Sequence, residues 1–359
     1  MKKIPFLVTG ATGFVGRHLL QALVENPQVL PLALVRDKKS WSSQNWTHGL
    51  KGVELIEGSV TDIQKWKNDP RLQGLGGIYH LAAVIRHTRR DPEDMFHTNV
   101  EGLLRMVELG AEKKCRVVFV STSGTVGCFS SPDRAADEKS PYQEATVGSW
   151  PYYASKIRAE REGRKLAESL GVELVILRPP VLLGPGDHRM RATSHIARLL
   201  RGKLPFIVNG GMHFVDIRDV TQAMIRAMEI SRPKPIYHLS GATYRIEDFF
   251  RIVAEIGGVA PPKLQLPSLA AKLLSKTSGL LDRFLPPRPH PILPDPVVFE
   301  MASKYWGLKS LYAKEDLGFA SRDPKATLRD TIQWLKENVP ELKEKAAADL
   351  NLESAGIKS

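Results

Sequence analysis

Cysteine is nearly absent: Cys115 and Cys128 are the two in 359 residues, too few for the disulfide framework that staples small secreted folds. Long apolar runs are missing as well. No stretch approaches the roughly 18 to 20 residues that span a bilayer. The opening "MKKIPFLVTG" turns into a strand and a glycine turn before a signal-peptide core could form. We therefore expect a cytoplasmic protein with reduced thiols and no transmembrane segment; peripheral contact with a membrane stays open. Aromatics are sparse at 7%, and neither zinc-finger spacing nor an interleaved aromatic platform accompanies the scattered basic residues. A net charge of +12 and a pI near 9.6 attract polyanions non-specifically, but without those features we expect no nucleic-acid partner. What is present, 42% hydrophobic and 25% charged residues, suits one large globular domain or two unequal ones.

Short β-branched runs alternate with helical patterns through the first 180 residues. "IPFLVTG", "LPLALVRD", "VELIEG", "GIYHLAA", "RVVFVSTS" and "VELVILRPP" read as strands. "FVGRHLLQALVEN", "PEDMFHTNVEGLLRMVELGAEKK" and "YYASKIRAEREGRKLAESLG" carry apolar residues at helical spacing. That rhythm predicts an α/β fold: a doubly wound parallel sheet of the Rossmann kind, its binding crevice at the carboxyl ends of the strands. After Pro179 the chain turns rich in glycine, proline and basic residues, and "FVDIRDVTQAMIRAME" then returns to a strand and helix. The expected organisation is a dinucleotide-binding domain over 1–180 with 213–239 returning to it. An interleaved, smaller substrate domain takes 181–212 and 240–338, and a polar, frayed tail takes 339–359.

"VTGATGFVG" places Gly10, Gly13 and Gly16 right after the first strand and at the opening of the first helix. Gly10 allows the turn, Gly13 lets backbone approach a pyrophosphate, and Gly16 lets helix and sheet pack closely. At the tip of the second strand stands Arg36. An acid there accepts hydrogen bonds from ribose hydroxyls, whereas an arginine pairs with a 2′-phosphate, so Arg36 favours NADP. Asp37 offers the competing NAD reading.

In "WPYYASKIRAE" two tyrosines precede Lys156. A phenol with a pKa near 10 needs a nearby cation to work as acid or base at neutral pH. Tyr152 lies four residues before Lys156 and Tyr153 three, so helix geometry alone does not choose between them. The glycine motif, "VSTSG" after the fifth strand and YxxxK on the next helix together resemble the extended branch of the short-chain dehydrogenase/reductase superfamily, the NAD-dependent epimerase/dehydratase family, over most of residues 4–338. The resemblance implies an NAD(P)-dependent enzyme. Tyr152 takes the acid/base role, Lys156 binds the nicotinamide ribose and lowers the phenol pKa, Ser123 bonds the substrate oxygen with Ser121 and Thr122 as rivals, and Asn99 holds a relay water. It further implies cofactor contacts from Phe14, Val15, Leu81, Ala82, Ala83 and Pro179. Ser59 stands in the place of the family's acid at the adenine, with Val60 beside it. Homodimers are common in the family.

Two departures point away from sugar-nucleotide epimerases and dehydratases. Val181 stands where many of them carry asparagine, and Gly124 and Thr125 replace an acidic pair after the serine. "VRD", "STSGTV" and "RPPVLLGPGD" look closer to dihydroflavonol reductases and hydroxysteroid dehydrogenases. Leu269, Leu273, Leu280 and Phe284 share one face of an amphipathic pattern, with Lys272, Lys276 and Arg283 opposite; it suits the substrate domain's core or lid, an apolar substrate wall, or a membrane-surface helix. "RHTRR" and "HRMRATSHIARLLRGK" flank the expected mouth and suit a carboxylate or CoA phosphate. The expectation is an NADP-preferring oxidoreductase of an apolar or polycyclic ketone or alcohol. A nucleotide-sugar epimerase or dehydratase and a non-enzymatic dinucleotide sensor are the alternatives.

Overall fold

Residue pairs that are neighbours in sequence fall on opposite sides of the central sheet, as a two-residue period requires when both faces are covered. Leu7, Leu32, Val117 and Ile176 enter one core and Val8, Ala33, Val118 and Leu177 the other. The computed structural model describes residues 3–204, 206–266 and 295–344. Seven parallel strands run edge to edge as Glu54–Glu57, Val29–Val35, Ile4–Thr9, Gly77–His80, Arg116–Val120, Leu174–Arg178 and Ile236–His238. The order reverses between Ile4–Thr9 and Gly77–His80, which opens the crevice at their carboxyl ends.

Helices cover both faces. Phe14–Val24 and Ile217–Glu229 pack together on one side, and Gly102–Lys113 and Pro151–Leu170 on the other. The last of these starts with a proline in its first turn, where a missing N–H costs nothing, and stops at Gly171 in the left-handed conformation, φ +65°.

A smaller unit has its own sheet, in which Gly211–Asp216 lies between Val181–Leu183 and Ala242–Arg245. Its core gathers Leu183, Ile196, Phe214, Phe249, Leu328 and Leu335. Three details differ from the sequence expectation. Residues 213–216 belong to this smaller sheet, so the return to the large one begins at Ile217. Tyr305–Trp306 pairs back onto Cys128–Phe129, and the helix Leu311–Leu317 packs beside Ile236–His238, so this stretch serves the large unit. Past the helix Pro324–Asn338 the chain does not fray at once, because Val339 and Leu342 are buried in the smaller core. The amphipathic pattern at 267–285 and the tail beyond 344 lie outside the described residues.

Candidate active site

At the crevice, Gly10 has φ +66°, and a Cβ there would stand 2.7 Å from the backbone of Leu81 and Ala82. Only glycine allows the two strand ends to meet so closely. Thr9 Oγ1 locks the meeting by accepting the Leu81 and Ala82 N–H groups, each at 3.1 Å, and bonding His80 Nδ1 at 2.9 Å. Burial pushes His80 down to about 3, so its ring is neutral. A Cβ on Gly16 would lie 2.5 Å from the Gly10 carbonyl oxygen, whereas at Gly13 the nearest atom is that same oxygen at 3.1 Å. Gly16 is therefore needed for packing, and Gly13 keeps an open side above the start of the helix. Phe14 and Val15 open that helix, and their N–H groups belong to the first turn, which has no partners within the helix. This cradle, which a side chain at Gly13 would narrow, fits a dinucleotide pyrophosphate.

Across the crevice the turn Ser123–Thr125 is fixed by Ser123 N–H donating to the Pro179 carbonyl, 2.8 Å. Its hydroxyls divide sharply. Ser121 donates to Glu160, Thr122 caps the Gly124 N–H, and Thr125 donates to the Thr122 carbonyl. Ser123 Oγ, in contrast, has no partner among the described residues, whereas Ser121 has given its proton to a hydrogen bond with Glu160 and Thr122 Oγ1 is engaged as an acceptor.

The tyrosine helix packs on this turn. The Tyr153 ring fills the space a side chain at Gly124 would take, a Cβ there falling 1.9 Å from its Cε1, and it stacks on Trp306 with Trp150 beside it. Tyr152 meets His87 edge-on at 5.8 Å and Tyr153 at 5.2 Å. Lys156 is 2% exposed; its ammonium donates to the Val120 carbonyl at 2.9 Å and sits 4.5 Å from the Phe119 ring centre. Burial lowers Lys156 to about 8, with Glu160 one turn on pulling the other way. Burial also raises Tyr152 above the usual phenol range. The expected lowering of the phenol by Lys156 is thus not present in this arrangement, because the ammonium is aimed at Val120 and desolvation dominates at the phenol.

Asn99, expected to hold a water, is engaged here by backbone and a neighbouring hydroxyl. It lies in a π-helical turn, His97–Glu101, where its Oδ1 accepts the Val84 N–H at 2.8 Å. Its Nδ2 donates to the Val84 carbonyl at 3.0 Å and to Ser155 Oγ at 2.9 Å. The backbone leaving the sheet after Ala83 needs these partners, and Asn99 supplies them. At the adenine end, Ser59 Oγ bonds Thr61 Oγ1 at 2.9 Å within its own turn, and Val60 is buried against Gly102. Asp37 is occupied as a helix cap for the Lys39 N–H at 2.8 Å, while exposed Arg36 has no partner among the described residues.

Several groups escaped the sequence reading. Glu160 and Arg178 form a buried ion pair, and Arg178 also bonds His238 at 3.2 Å; Glu160 in "SKIRAE" was findable, standing four residues past Lys156. His87 projects beside both tyrosines with its Nδ1 buried and without a partner among the described residues. The two basic stretches also part ways. In "RHTRR", Arg86 pairs with Asp94 and Arg89 with Glu300, whereas Arg189 and Arg191 of the second stretch have no acid partner among the described residues.

The family model described as NAD dependent epimerase/dehydratase family matches residues 6–239. A Synechocystis sp. protein named as a candidate dihydroflavonol 4-reductase is 26% identical over 344 residues, 93% of this chain and 95% of its own length. Sterol demethylase protein B of Methylococcus capsulatus is 26% identical over 337 residues, covering 92% of this chain and 98% of that protein. Among solved structures, that of gox2253 superimposes with a TM-score of 0.76 at 29% identity, over 93% of this chain and 98% of that one.

Proposed function

We propose that this chain, which belongs to the NAD dependent epimerase/dehydratase family, is an NADP-preferring oxidoreductase acting on a ketone or alcohol carbon of an apolar, polycyclic substrate. It is an NAD(P)-dependent enzyme of the extended short-chain dehydrogenase/reductase type. The observation that carries the finer reading is the contrast between spent and unspent groups. Among the described residues the hydroxyls around Ser123 have partners and Ser123 Oγ has none, and Arg36 has no partner beside an Asp37 that caps a helix.

When bound, the nicotinamide supplies or accepts the hydride. The glycine turn with Phe14 and Val15 would hold the pyrophosphate, Arg36 the 2′-phosphate, and the loop Leu81–Ala83, with Ser59 and Val60, the remaining face. Tyr152, held protonated by burial, gives its proton to the substrate oxygen during reduction. Ser123 donates a hydrogen bond to that oxygen, and Lys156 would bind the nicotinamide ribose. Asn99 acts as a positioning residue, tying the Val84 backbone to Ser155 on the tyrosine helix. Tyr153 and Trp150 are buried, and half-buried His87 and Trp306 border them; an aromatic lining of this kind suits an apolar substrate.

NADPH consumption is to be followed with ketones, steroids and β-keto acids, in wild type and Tyr152→Phe. Steroid or other polycyclic ketone turnover that disappears in Tyr152→Phe supports the proposal. Conversion of a nucleotide sugar alone, with no net change in nicotinamide absorbance, overturns it in favour of an epimerase. Dinucleotide binding without turnover on any substrate overturns it in favour of a sensor.

A further inference from the structure

The loop that follows the strand Val181–Leu183 leans back over the nucleotide end of the crevice. It is a built element: the Asp187 carboxylate accepts the Ala192 N–H at 2.9 Å, the Thr193 N–H at 3.1 Å and the Thr193 hydroxyl at 3.0 Å. The first helix seats it from below. His18 Nε2 bonds the Pro185 carbonyl at 2.8 Å, Arg17 bonds His188, and Gly186 leaves room for the Arg17 guanidinium, which a Cβ would approach to 2.9 Å. From the crest of the loop Arg189 Nη2 donates to Thr12 Oγ1 at 3.3 Å, and Thr12 belongs to the glycine turn itself.

Three guanidiniums thus gather here, Arg36, Arg189 and Arg191, with Arg17 on the helix below lying over the Trp46 ring. Among the described residues none of them has a carboxylate partner, although the chain pairs arginines with acids at many other places. Partial burial, then Arg191 and then Arg36, lower the pKa of Arg189, so these cations are close enough to repel. Like charges held together without a counter-charge are unfavourable unless an anion completes them. A phosphate with a charge near two and three acceptor oxygens suits arginines converging from two sides.

We propose that Arg189 reaches across from this loop to form, with Arg36 and Thr12, the seat of the 2′-phosphate of NADP, so that the phosphorylated dinucleotide fastens the loop over the glycine turn. This rests on the NADP preference argued above. The pyrophosphate, common to NADP and NAD, is the other phosphate within the same crevice, and the two are separable by experiment.

NADPH and NADH are to be titrated calorimetrically into wild type, Arg189→Gln, Arg189→Lys, Arg36→Gln and the double Gln variant, with hydrogen exchange of residues 184–193 followed in parallel. Arg189→Gln should weaken NADPH by about 10- to 100-fold and leave NADH nearly unchanged, the scale of one charge-assisted contact. Arg189→Lys should recover part of the loss, and the double variant should lose less than the product of the single effects. NADPH should protect the loop amides more than NADH does in wild type, and equally in Arg189→Gln. Equal weakening of both dinucleotides assigns Arg189 to the pyrophosphate and overturns the proposal; so does unchanged NADPH binding in Arg189→Gln while Arg36→Gln loses it. Wild type binding NADPH and NADH alike, with Arg36→Gln changing neither, is the separate outcome that removes the NADP preference itself and the proposal with it.

Discussion

At Lys156 burial and charge pull against each other. Its pKa in the folded protein, about 8, lies below the ordinary 10.5. The unfolded chain therefore binds more protons between those two values, and stability should climb as pH rises through that window. At neutral pH the charged form is a cost to folding, so Lys156→Met is expected to raise the melting temperature while abolishing most turnover; a scanning calorimeter and a rate assay check the two halves. The charge is present below about 8 and lost above it, so wild-type turnover should decline on the alkaline side of a pH profile. Beside it, Tyr152→Phe should cost about 10²- to 10⁴-fold in turnover, the usual worth of a positioned acid. Tyr153→Phe keeps the ring packed on Trp306 and should leave turnover near wild type, so equal losses in both would refute the division of labour. Tyr152 and Lys156 were legible because their chemistry depends on one helix and a spacing of four. His87 and Arg189 were not, since each becomes informative only when a distant loop brings it to the crevice.

Elements decide how firmly those side chains are held. Glu160 and Arg178 lie on the tyrosine helix and on a sheet strand, with relative exposures of 0% and 2%. Glu160→Gln leaves the guanidinium buried without its counter-charge, which should cost about 3–5 kcal/mol in urea unfolding. Removing both partners should cost less than the sum of the single losses. Gly124→Ala makes a different test: the new methyl would fall 1.9 Å from Tyr153 Cε1, so the ring must move and substrate KM should rise more than cofactor affinity falls. Six sheet strands could be read from their β-branched runs, because strands buried on both faces leave a dense apolar record. The π-helical turn at Asn99 left no such trace. Its cause is tertiary, the demand of the Val84 backbone for partners, and no local propensity encodes it.

The described residues form a large sheet unit and a smaller unit with a core of its own. Leu328 is fully buried and belongs to the smaller core, so Leu328→Ala should destabilise by about 2–5 kcal/mol. Circular dichroism melts with and without NADPH would show whether that loss spreads to the large unit. The boundary between units was the least legible part of the sequence: 213–216 and 305–317 each look like ordinary strand or helix, and only pairing reveals their allegiance. Among the described residues the smaller core is assembled from three separate stretches, 183–214, 242–266 with Phe299 and Ala302, and 328–342. Between them the chain goes back to the large sheet. No single cassette of the gene therefore encodes the smaller unit, so exchanging it would mean exchanging several segments together.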